Sequence, residues 1–143
     1  RLRERGRIRA YAVELMAMAA GGVLIVSIYA ALLWGFRAPI GNLLFTDKFD
    51  QALPLVPLWA AVAAAQFVRM NASFGLQVLK QFRQLAHVNV ALMLVTVAAA
   101  VAGIRHAGVT GALYAMLLGE GLMAAVLWWL LARRVFAARD SAA

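Results

Sequence analysis

Few side chains in this sequence could do chemistry, and most of them fall into one pattern. Gln66, Arg69, Ser73 and Gln77 are spaced by 3, 4 and 4 residues, and Lys80 and Gln84 continue the series at 3 and 4. At about 100° per residue of helix, this spacing puts all six on one narrow stripe, with Asn71 on another face. A guanidinium flanked by amides and a hydroxyl is rich in donors and suits phosphate and sugar hydroxyls. The stripe reads as the lining of a hydrated path, or else as polar packing against other helices. Glu120 is the carboxylate of a later apolar run, and Glu14 lies one turn inside the first. Glu120 is placed either to ion-pair with Arg69 or to take up a proton from a water-filled cavity. Glu14 reads first as an interfacial residue near an arginine cluster and second as a proton-coupling acid. His87 and His106 are too isolated to ligate a metal, and cysteine is absent. With no nucleophile–base pair, metal-ligand cluster or glycine-rich phosphate loop, the sequence predicts no enzyme, no metal site and no cofactor.

The elements that must position these residues are apolar and long. Of 143 residues, 65% are hydrophobic and 14% charged, with a mean hydropathy of +0.82. A soluble fold of this size has too little interior for so much apolar surface, which excludes a water-soluble monomer. Four apolar runs, about 11–36, 52–79, 85–104 and 109–131, reach the roughly 20 residues a membrane helix needs. Pro54 and Pro57 fall in the opening turns of the second run, where an amide has no intrahelical acceptor. Gly103 and Gly108 bracket the end of the third run. Trp128-Trp129 followed by Arg133-Arg134 suits the headgroup region at the end of the fourth. The runs lack the two-residue alternation of barrel strands, and the first is too long for a signal-peptide core. The expected fold is an all-α integral membrane protein of four transmembrane helices, with basic cytoplasmic segments at 1–10 and 132–143.

The net charge of +8 and pI near 11.4 are topological. Arg1, Arg3, Arg5, Arg7, Arg9, Lys80, Arg83, Arg133, Arg134 and Arg139 share one side of the bundle. Arg37, Lys48 and Arg105 fall on the other. This asymmetry predicts a multi-pass protein with both termini cytoplasmic, and it leaves no basic soluble face for nucleic acid. Arg69 and Glu120 lie about ten and eleven residues from the cytoplasmic ends of their runs, roughly 15 Å deep. Thr96, Ala100 and Gly103, with Asn89 and Met93, form a small and polar seam in the third run. Gly111, Ala115 and Gly119 form another in the fourth, and both read as close helix contacts.

Three segments carry a family resemblance. Asn42-Leu43-Leu44-Phe45-Thr46-Asp47-Lys48-Phe49-Asp50-Gln51-Ala52 resembles the segment after an odd-numbered helix in polysaccharide flippases of the multidrug/oligosaccharidyl-lipid/polysaccharide exporter superfamily. Leu76-Gln77-Val78-Leu79-Lys80-Gln81-Phe82-Arg83 resembles their cytoplasmic turn, followed by Asn89. Ile104-Arg105-His106-Ala107-Gly108-Val109-Thr110-Gly111-Ala112 is similar to the stretch that opens their next helix. Thr46 stands where those proteins usually have glycine, and Arg105 where proline is common. The order and separation of the three correspond to the last four of twelve helices. The resemblance implies an O-antigen-type translocator of lipid-linked oligosaccharide in the bacterial cytoplasmic (inner) membrane, working by alternating access between two lobes. This chain, which begins at Arg1 rather than methionine, would be a C-terminal fragment partnered by the bilayer, the N-terminal lobe and the lipid-linked substrate. Gln66, Arg69, Ser73 and Gln77 would line its path. The other readings are a self-contained four-span accessory subunit, similar to GtrA-like membrane proteins, and a small multidrug exporter that dimerises around Glu14.

Overall fold

The computed structural model describes residues 2–39 and 53–140, with side chains over 10–39 and 53–135. Helix α1 spans Leu2–Gly35. It takes in most of the arginine-rich segment, because Arg, Leu and Glu favour helix and that stretch holds no proline. A 3-10 turn at Leu53–Leu55 leads into α2, Val56–Val78, which carries proline in its first turn as the sequence suggests. Helix α3 spans Phe82–Asp140 and continues through the basic stretch after residue 131. Among the described residues, these three helices are long and apolar enough to cross a membrane. The connection containing Asn42–Gln51 and Lys48 lies outside the described residues.

Two short backbone features set the layout. After α2 the amides of Leu79, Lys80 and Gln81 bond to the carbonyls of Gly75, Gln77 and Leu76. Lys80 adopts a left-handed φ of 57°, the conformation that commonly ends a helix, and the chain turns directly into α3. Within α3 the backbone leaves helical geometry at Ala107 and at Gly108, whose φ of 59° and ψ of −140° are accessible to glycine. Gly103 then lies against Gly111, and Gly119 against Thr96, with no room for a Cβ at either glycine of the second arm. Positions 96 and 119 would be about 34 Å apart on a straight helix. The arms 82–106 and 109–140 are therefore folded back on each other.

Helix α2 is the centre of the packing: it contacts both α1 and α3, while α1 and α3 barely meet. The core joins Leu15 of α1, Ala72 and Leu76 of α2, Leu85 of the first arm, and Met123, Leu127 and Leu131 of the second. Gly22 lets the ring of Phe67 approach α1, and Gly75 does the same for Leu15 and Leu131. Outside this seam the surface is apolar, with Ile25, Tyr29, Leu94, Val109 and Leu118 all exposed. Contiguous apolar surface on this scale marks contact with lipid or with other protein. Met93, expected in the close-contact seam of the third run, is 61% exposed. Leu92 packs against the core in its place.

Candidate functional site

Arg69 and Glu120 meet where α2 faces the second arm of α3. Arg69 projects from the middle of α2, and its Nε donates to Oε2 of Glu120 at 2.5 Å. The two side chains remain 26% and 18% exposed. The pair forms because both residues stand at matching depth on helices running in the same direction, as the Gly75–Leu131 contact further along shows. Mutual neutralisation offsets the cost of holding either charge away from water. A guanidinium has further N–H donors on its two Nη groups.

The rest of the stripe grades from packed to open. Gln66 and Ser73 are half-buried and Gln77 is exposed. Gln77 Nε2 donates to Ser73 Oγ across one helical turn at 3.4 Å, a long and weak bond. Lys80 and Gln84 are exposed at the end of the series. Asn71, off the stripe, is buried at 5% exposure, and its Nδ2 donates to the Phe67 carbonyl at 2.8 Å.

Glu14 is not brought to this pair. It is exposed on α1, and its neighbour Leu15 packs at the level of Gly75 and Leu131. That level is about 9 Å along α2 from Arg69, toward the helix end. His87 Nδ1 is engaged by the Arg83 carbonyl of its own helix at 2.7 Å, and His106 is exposed beside the bend. No group of three or more potential metal ligands occurs among the described residues.

Two polar features escape a reading of the sequence. Trp128 and Trp129 look alike there, as a pair at headgroup level. In the fold Trp128 is half-buried and its indole donates to the Val68 carbonyl at 3.0 Å, pinning the second arm to α2 beside Arg69. Trp129 is exposed instead. Asn89 presents a buried Oδ1 with no hydrogen-bond partner among the described residues. The signal for Trp128 was its own N–H, since an indole inside an apolar bundle needs an acceptor.

These features define a chain that is helical over its described residues, with apolar helices compatible with a membrane protein and a partly covered ion pair between two of its segments. No protein-family model matches the chain, and neither the curated proteins nor the solved structures gave a match.

Proposed function

We propose that the chain is a four-span unit of a translocator that carries lipid-linked oligosaccharide across the bacterial inner membrane. In this reading α1, α2 and the two arms of α3 each cross the bilayer once, with both ends in the cytoplasm. The observation that carries it is Arg69, a guanidinium at the middle of an apolar helix, held through Nε by Glu120 and still partly exposed. Intramembrane charge is costly and is retained where it serves a pathway. Glu120 keeps the empty site neutral and fixes the orientation of Arg69, while the Nη groups receive the phosphate of the carrier lipid. Gln66, Ser73 and Gln77 supply hydrogen bonds to the sugars that follow it. A second helical unit facing the stripe completes the path, so that access alternates between the two sides.

The test is a translocation assay in vesicles containing the natural full-length protein and a fluorescent oligosaccharide on a polyprenyl diphosphate. Delivery is read as glycan that becomes accessible to an added glycosidase. The protein accelerates delivery over protein-free vesicles, and Arg69→Gln slows it about 10- to 100-fold, the equivalent of one charge-assisted hydrogen bond. Delivery no faster than in empty vesicles, or unchanged by Arg69→Gln, would overturn the reading.

A further inference from the structure

A second basic site lies away from the ion pair, at the end of the bundle where α2 turns into α3. A hollow of about 310 Å³ opens there between the start of the first arm and the end of the second, lined by Gln84, Leu130, Arg133 and Arg134. Its wall is almost wholly carbon, formed by Leu130 and the aliphatic stems of the other three side chains. One of the two arginine heads is placed by a neighbour. The guanidinium carbon of Arg133 sits 4.7 Å from the centroid of the Trp129 ring, and that ring is 55% exposed. Among the residues whose side chains are described, 10–39 and 53–135, the carboxylates are Glu14 on α1 and Glu120, which is bound to Arg69. Neither forms an ion pair with Arg133 or Arg134, and Lys80 and Arg83 add positive charge at the same end of the bundle.

We infer that this hollow binds an anionic phospholipid, its phosphate on Arg133 and Arg134 and its glycerol and upper acyl carbons against Leu130. The amphipathic character of the hollow selects the occupant. A free phosphate would gain the charges but meet carbon on the wall, and a zwitterionic lipid would bring its own cation toward the arginines. A lipid with net negative charge satisfies both parts. Stacking on Trp129 holds one guanidinium in the plane of the headgroups before any lipid arrives, which lowers the ordering cost of binding. The inference rests on the membrane placement proposed above but not on the cargo.

The test uses the full-length protein in phosphatidylcholine vesicles with spin-labelled phosphatidylglycerol or spin-labelled phosphatidylcholine. The relative association of the two lipids with the protein is read from the motionally restricted fraction. Phosphatidylglycerol is preferred. Arg133→Gln with Arg134→Gln lowers that preference roughly 30-fold, at about 1 kcal/mol per arginine near the surface. Lys80→Gln with Arg83→Gln removes the same charge outside the hollow and leaves most of the preference. Leu130→Trp fills the hollow with both arginines kept and abolishes the preference. An equal loss in both charge pairs, or none with Leu130→Trp, would reduce the effect to surface potential and overturn the site. Displacement by millimolar inorganic phosphate would assign the arginines to a soluble anion and overturn the lipid. Failure of the protein to stay with the vesicles would remove the membrane placement as well, so the two failures are distinguishable.

Discussion

At the scale of the residue, the Arg69–Glu120 pair joins stability to the proposed transport, and the two can be separated. Each charge is more than two-thirds covered, so removing one partner leaves the other in an apolar setting without its counter-charge. Arg69→Leu or Glu120→Leu alone is expected to destabilise the bundle by about 1–3 kcal/mol, less than a fully buried pair would lose because some solvent screening remains. The double leucine variant removes both charges and recovers much of that loss. The measurement is a double-mutant cycle on reversible unfolding in detergent, and simple additivity would show that the pair does not interact. The exchanged pair, Arg69→Glu with Glu120→Arg, regains stability but not translocation, because the guanidinium leaves the polar stripe. The sequence made this pair readable through depth alone, since both residues lie at similar distances from their helix ends. It could not show the Trp128 bond to the Val68 carbonyl, because the direction of an indole depends on how the second arm rolls against α2.

At the scale of the element, the bend in α3 is fixed by glycine for two separate reasons. Gly108 supplies a backbone conformation, and Gly103 and Gly111 supply contact between backbones. Gly111→Ala would drive a methyl group into the carbonyl of Gly103, and main chain cannot step aside as a side chain can. A loss of about 1–3 kcal/mol is expected, as for an overpacked core. Gly121→Ala is the control, since a Cβ there meets nothing within 4 Å, and it leaves stability unchanged or raises it by up to about 1 kcal/mol. Thermal unfolding of the two variants side by side checks this, and equal effects would show that the arms are not in contact. The glycine spacing made the close contact legible. The opposing stripe was only partly so, because 89–93–96 and 89–92–96 both satisfy helical spacing. The packing of partly buried Leu92 against the core and the exposure of Met93 decide between them.

At the scale of the whole molecule, what faces outward matters as much as what is packed. Apolar length was legible because it is a local property: the runs expected at 11–36 and 52–79 correspond to α1 and α2, and those at 85–104 and 109–131 fall in the two arms of the single bent helix α3. The central place of α2 was not, because it depends on which glycines admit which neighbours: Gly22 for Phe67, and Gly75 for Leu15 and Leu131. That arrangement leaves α2 with three kinds of surface within a few residues. Ala72 is fully buried and Phe74 is 48% exposed on the apolar side, while Ser73 and Gln77 lie along the polar edge. Single cysteines distinguish them, because the chain has no cysteine of its own and a thiol reacts as its thiolate, which requires water. In vesicles treated with a membrane-impermeant maleimide, Ser73→Cys and Gln77→Cys are expected to label. Ala72→Cys stays protected by packing, and Phe74→Cys stays protected by lipid. Labelling of Gln77→Cys with Ser73→Cys as silent as Ala72→Cys would make the stripe a packed seam and close the path. Labelling of Phe74→Cys at the rate of Ser73→Cys would place α2 in water on both sides, and the bilayer would then have to be abandoned as the solvent of this helix.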